Sequence, residues 1–153
     1  MDKNTDFDIR IYDKNSADYR KALVLRWDVL NLSKGVGQSD VDFILGDHPD
    51  EDGFIKIGAF IDGNIVGTLD LAPMNVPGRL LLRQFAVSKK LQGYGIGMKL
   101  IKFAHNAARE RGYTSIELHA RQDVIGFYQK AGYRMMGRMT TGNITLEYMH
   151  TDL

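Results

Sequence analysis

The chain has 153 residues, enough for one compact domain with a sizeable core and short for two. Hydrophobic residues make up 44%, as in ordinary globular proteins, and 20 basic against 19 acidic residues leave no global field to draw nucleic acid or an anionic membrane. The absence of cysteine excludes disulfides, thiolate metal sites and a cysteine nucleophile.

The N-terminal run MDKNTDFDIRIYDKN is polar and mixed in charge, without the apolar stretch of a leader. No segment approaches the roughly 18 apolar residues of a membrane span, so a soluble, cytoplasmic protein is expected. FDIRIY, Phe7 to Tyr12, alternates apolar and polar side chains and predicts a half-buried first strand. NSADYRKALVLRWDVLNLS has helical spacing with Ser16 as N-cap, and Trp27 within it is read as core. SDVDFILGDH predicts a shorter second helix capped by Ser39. The acidic GDHPDEDG, broken by Pro49 and Gly53, reads as a solvated loop.

FIKIGAFI and IVGTLDLA, joined by DGN, predict a hairpin, since Asp-Gly between alternating runs supplies the turn. GRLLLRQFAV is a fourth strand, apolar on both faces and therefore central. A glycine stretch follows, then a third helix with Ile96, Leu100, Phe103, Ala104, Ala107 and Ala108 on one face. Arg109 and Arg111 suit its C-terminal end and Gly112 its cap. TSIELHA is a fifth strand, VIGFYQKAG a short fourth helix closed by Gly132, and YRMMGRMTT with ITLEYMH a final hairpin around Gly142-Asn143. Met135, Met136 and Met139 suit core or interface filling. The sum is a single mixed α/β domain over residues 1–153, with hairpins at both ends and a strand-helix-strand crossover between them.

In LQGYGIG, Gly93, Gly95 and Gly97 alternate where the fourth strand ends and the third helix begins. A helix start offers unpaired N–H groups and partial positive charge, a ready seat for phosphate. Alternate glycines let a ligand lie against the main chain, and Lys89, Lys90 and Lys99 add positive charge. The dinucleotide fingerprint fails because no G-x-G follows the first strand and Met98 follows Gly97. The P-loop fails for want of Gly-Lys-Ser/Thr.

Gln92-Gly93-Tyr94-Gly95-Ile96-Gly97 is similar to the Gln/Arg-x-x-Gly-x-Gly/Ala motif of the GNAT superfamily of N-acetyltransferases. The preceding LLRQFAVSKKLQG resembles that family's fourth strand and the loop after it, and LHARQDVIGFYQKAGYR resembles its second block. The resemblance covers residues 79–136 at motif level and nearly the whole chain in element order. It implies the GNAT fold: a central mixed sheet with helices on both faces, ordered strand, two helices, three strands, helix, strand, helix, two strands. It further implies acetyl-CoA as cofactor, with the pantetheine arm along Phe85, Ala86 and Val87 and the pyrophosphate at Gln92, Gly93, Tyr94, Gly95, Ile96 and Gly97. Arg121 stands where many members have an Asn near the cofactor, and Tyr128 matches the tyrosine beside the sulfur. A homodimer is compatible with the family. The last hairpin departs from one branch, having Thr145 and Leu146 where that branch has Pro and His.

The implied reaction is acetyl transfer by direct attack of a primary amine, on a small molecule or a peptide N-terminus, in a ternary complex. A phenol near 10 is a weaker acid than a thiol near 8.5, so Tyr128 is expected to act mainly as a hydrogen-bond donor to the developing thiolate. The fourth strand carries no carboxylate to serve as base. If Ile116, Leu118 and Ala120 share one face of the fifth strand, Glu117 and His119 share the other, either as a catalytic base or as a mutually satisfied polar pair. Asp70 is a weaker candidate. His48, His105 and His150 lack metal-ligand spacing, so no metal is expected. Two other readings stand beside this one: a non-catalytic acyl-CoA-binding module, and a nucleotide-binding domain using the same turn for ATP.

Overall fold

A computed structural model describes residues 6–30 and 48–153. The second helix expected from Ser39 lies outside these residues. The elements are β1 (Asp8–Ile11), α1 (Ala17–Val29), β2 (Ile55–Ile61), β3 (Asn64–Pro73), β4 (Arg79–Val87), α2 (Ile96–Glu110), β5 (Ser115–Arg121), α3 (Ile125–Lys130), β6 (Arg134–Thr141) and β7 (Ile144–Asp152). The strands form one mixed sheet in the order β1-β2-β3-β4-β5-β7-β6, with β4 at its centre as its two-faced apolar pattern requires. Pairing of β4 with β5 is parallel, so α2 is the crossover. No helix among the described residues is long and apolar enough to cross a membrane.

Local chemistry accounts for the boundaries. Asp62 and Gly63 both adopt positive φ, 50° and 78°, the pair of left-handed residues that a two-residue hairpin between right-twisted strands demands. Helix α2 closes on Gly112 at φ 83°, where the Gly112 N–H reaches the Arg109 carbonyl and the Tyr113 N–H the Ala108 carbonyl. Ser16 holds the N-cap position of α1, but its hydroxyl turns back to donate to the Asp13 carbonyl at 2.6 Å instead of capping the helix. The methionines of β6 are not core: Met135, Met136 and Met139 are 50%, 60% and 43% exposed on the edge strand.

Two compact units make up the chain, one within Met1–Asp70 and Gln84–Leu100, the other comprising Leu71–Arg83 and Ile101–Leu153. The first has a core of Tyr12, Tyr19, Ala22, Leu23 and Phe60. The second buries Leu80, Leu82, Ala104, Ala108, Ile116, Leu118 and Met149.

Beside the first core lies a fully buried ionic quartet. Arg26 of α1 donates to Glu51 at 3.0 Å and to Asp70 of β3 at 2.7 Å, while Lys56 of β2 donates to the same carboxylates at 2.6 and 3.0 Å. Tyr19 adds a hydrogen bond to Glu51 at 2.9 Å, and the Lys56 ammonium stands 4.8 Å from the Tyr19 ring centre. Two cations against two anions leave no net charge in the interior. Glu51 therefore corrects the expectation of a solvated acidic loop: it is 4% exposed, in a short 3-10 turn at Pro49–Glu51. Burial pushes its carboxyl up, but the Lys56 and Arg26 bonds outweigh that and hold it down to about 2.

Removing one anion strands a buried cation, so Asp70→Asn is expected to lose about 3–5 kcal/mol of stability in urea unfolding at neutral pH. For Glu51 the folded value lies below the ordinary 4.5, so its contribution is complete above that pH and is lost as pH falls towards about 2. Glu51→Gln should accordingly flatten the acid limb of the stability profile, measured by unfolding between those limits.

Candidate active site

One group of candidate residues lies where β4 ends. The Ser88 N–H donates to the Val66 carbonyl at 2.8 Å, fixing the strand end against β3, and a 3-10 turn at Lys89–Leu91 leads into the glycines. Gly93 and Gly95 take φ 90° and 84°, a left-handed backbone that side chains disfavour. A Cβ built on either meets nothing within 4 Å, so the main chain there is open to an incoming molecule. The first intrahelical bond of α2 runs from the Lys99 N–H to the Gly95 carbonyl, which leaves the earlier N–H groups, including those of Ile96 and Gly97, without a partner in the helix. The Gln92 amide spans back to the Val87 carbonyl at 3.2 Å. Lys89, Lys90 and Lys99 are exposed.

Side chains at this end are not all available. Ile96 and Ala86 are 1% exposed and can offer only their main chain, whereas Phe85, Val87 and Tyr94 are half-buried. Midway along β4, Gln84 adopts φ 52°, rare for a side-chain-bearing residue inside a strand. Such a residue re-aims the peptide groups beside it, and nothing in the composition of LLRQFAV signals it. The registered pairs of β4 with β5 are Arg79↔Ser115, Leu80↔Ile116 and Leu81↔Glu117.

A second group of candidate residues lies within the other unit. Ile116, Leu118 and Ala120 of β5 are buried, so Glu117 and His119 do share the opposite face. They are brought together: His119 Nε2 lies 2.8 Å from a Glu117 oxygen, and Arg79 approaches the other oxygen at 3.5 Å. Tyr148 of β7 stacks on the His119 ring at 4.2 Å between centroids. Asp70 drops out as a base, being fully buried and bound by two cations. Tyr128 on α3 is half-buried, edge-on to Phe127 at 5.3 Å. Burial pushes its phenol up to about 12 against the opposing charge of Arg121, which lies exposed at the end of β5. Among the described residues no group of three His, Cys, Asp or Glu side chains could hold a metal ion.

A model of the acetyltransferase (GNAT) family matches residues 17–133. The chain belongs to this family. Among curated relatives, the uncharacterised N-acetyltransferase YitI of Bacillus subtilis is 28% identical over 91 residues, 56% of this chain and 61% of the relative. The matched stretches span between 36% and 61% of the curated relatives' own length. A solved structure from Lactobacillus plantarum assigned to the N-acetyltransferases superposes with a TM-score of 0.79 at 24% identity, covering 96% of this chain and 98% of its own. An aminoglycoside 6′-N-acetyltransferase complexed with coenzyme A gives 0.76 at 18% identity, covering 95% and 96%. At these identities the structural likenesses establish the GNAT fold.

The turn of this GNAT chain depends on a close approach elsewhere. A Cβ at Gly67 would stand 2.7 Å from Leu100 Cδ1 and 3.2 Å from Ile96 Cγ2, so the start of α2 packs on bare β3 main chain. Gly67→Ala is expected to lose about 1–3 kcal/mol by overpacking, against roughly 1 kcal/mol for Gly95→Ala, whose cost is conformational. Urea midpoints of the two variants check the order.

Proposed function

We propose that this chain is an acetyl-CoA-dependent N-acetyltransferase, acting on a primary amine of a small molecule or a peptide N-terminus by direct attack in a ternary complex. The observation that carries the reading is the glycine turn, left-handed and open at Gly93 and Gly95, immediately before the 15 residues of α2. Family membership supports it. Proteins of like fold are named for both acceptor types, an aminoglycoside and an alanine of ribosomal protein S18. A cytoplasmic place of action suits a cysteine-free chain of balanced charge.

The residues present fit a pyrophosphate. The open main chain at Gly93 and Gly95 and the first N–H groups of α2, at Ile96 and Gly97, would hold it, with Gln92 and Tyr94 beside them. Phe85, Ala86 and Val87 would offer strand main chain to the pantetheine arm, and Arg121 is assigned to the cofactor as well. Bound there, acetyl-CoA supplies an activated acyl group as a thioester. His119 takes the proton that the attacking amine must lose. Donation from Nε2 to Glu117 places the basic lone pair on Nδ1 and steadies the resulting imidazolium. Tyr128 keeps its own proton: transfer from a phenol at about 12 to a thiolate whose acid is near 8.5 runs uphill by roughly 5 kcal/mol. It therefore donates a hydrogen bond to the leaving sulfur without giving up the proton.

A thermal-shift titration checks the cradle: coenzyme A and acetyl-CoA are expected to raise Tm saturably, ATP not, and Gly95→Ala to lose most of the rise. Tighter binding of ATP would revive the nucleotide reading. Tyr128→Phe should lower kcat about 10- to 100-fold, the worth of one hydrogen bond to a developing charge, with KM for acetyl-CoA within about twofold. The assay is amine-dependent thiol release across a panel of polyamine, aminoglycoside and alanyl peptide. Full turnover in that variant would remove the role given to Tyr128. The missing carboxylate on β4 favours the non-catalytic alternative, and binding without thiol release from any amine would establish it.

A further inference from the structure

Helix α3, which carries Tyr128, is six residues long, has no side-chain cap and buries no residue of its own. So short a helix has no stability of its own, and the direction of the Tyr128 ring must be set from outside it. Tyr133 does this on two levels. The N–H groups of Ala131 and Tyr133 both donate to the Tyr128 carbonyl at 3.0 Å, and the Tyr133 ring meets the Tyr128 ring edge-on, centroids 6.0 Å apart at 76°.

Tyr133 is itself pinned. It is 3% exposed, and its hydroxyl lies 2.8 Å from Nε2 of His105, which projects from α2. Burial, with Arg109 acting in the same sense, pushes the His105 imidazole down to about 4, so at neutral pH it is uncharged. Burial pushes the Tyr133 phenol up, so it stays protonated. A neutral imidazole and a neutral phenol share one hydrogen bond and leave no charge to solvate. Many apolar pairs would fill this space; a His–Tyr pair fixes the ring's tilt as well, because the bond has a direction. The acetyl-transfer steps described above do not use either residue.

We propose that the His105–Tyr133 hydrogen bond holds the Tyr128 ring in its working orientation, making His105 and Tyr133 positioning residues for the transfer. The assignment rests on the role proposed for Tyr128. It is tested first on the ligand-free full chain with 13C-labelled tyrosine rings. Tyr133→Phe and His105→Leu are expected to speed the Tyr128 ring flip roughly tenfold or more. His105→Gln, which keeps a hydrogen-bonding group at the reach of Nε2, should restore the slow flip, and Tyr148 on β7 should be unaffected in all three. An unchanged Tyr128 flip rate, or equal loosening of Tyr148, overturns the proposal. Should Tyr133→Phe fail to fold, the two His105 variants decide alone.

A kinetic measurement separates this failure from failure of the enzymatic reading. With acetyl-CoA and the panel amine that supports thiol release, Tyr133→Phe should lower kcat about tenfold, leave KM for acetyl-CoA unchanged, and add nothing when combined with Tyr128→Phe. An additive loss overturns positioning through Tyr128. Loss of Tyr128's own importance would instead be seen in the single Tyr128→Phe variant.

Discussion

The start of α2 and the turn before it depend on a side chain that is missing. At Gly67 the bare main chain of β3 lets Leu100 and Ile96 come against the strand, Leu100 closer than a Cβ would allow without a shift and Ile96 at the tight end of such contacts. Those two residues are 0% and 1% exposed, so the first turns of α2 are locked onto the sheet. The neighbouring Val66 carbonyl receives the Ser88 N–H at the end of β4. One short piece of β3 thus sets both where β4 stops and where α2 starts, and the glycine turn is suspended between two fixed points. Donors held in this way need no rearrangement when an anion arrives, which is the condition under which hydrogen bonds to it are most effective.

The ionic quartet answers a different need. Its four charges come from α1, the Pro49–Glu51 turn, β2 and β3, and each must be in place for the others to be tolerated. Apolar side chains of equal volume would bury as well and avoid the desolvation cost. Directional ion pairs add mutual register among the four segments. They also decide what the acidic residues are not for. A carboxylate on Glu51 or Asp70 that already faces two buried cations cannot draw a cationic acceptor, nor accept a proton from one without stranding its partners.

Much of the fold was legible because its signals are local. Asp62-Gly63 demanded its hairpin, the double apolar face of LLRQFAV its central place, and Gly112 the end of α2, each from stereochemistry within a few residues. Alternation along β5 was enough to place Glu117 and His119 together. The quartet was less visible, although its trace is there: Arg26 falls on the helical stripe of Tyr19, Ala22 and Leu23, and Lys56 and Asp70 sit among apolar strand residues. A charge on an apolar stripe needs a partner, but sequence spacing does not name a partner 44 residues away. Ser16 lost its cap to a nearer carbonyl, a competition that composition cannot settle. The left-handed Gln84 is set by tertiary context, and so is the pairing of His105 with Tyr133 across 28 residues.

Proton inventory gives the two halves of the chemistry unequal weight. An alkylammonium near 10.4 must lose a proton before its nitrogen can attack, and the nitrogen sheds another as the amide forms. A thiol near 8.5 is released as thiolate with little penalty at neutral pH, so the leaving side asks only for stabilisation of charge. Burial pushes the Tyr128 phenol up, towards a firmer hold on its proton, which suits the donor role proposed for it. The demand for a true base falls on the amine side, the role proposed for His119, which meets Glu117 at 2.8 Å and stacks on Tyr148. A shuttle running from tyrosine to sulfur would need the phenol to be the stronger acid, and burial works against it. On the proposed reading, turnover depends on the neighbours of Tyr128 and His119 as well as on the two side chains themselves: Tyr133 and His105 beside the one, Glu117 and Tyr148 beside the other.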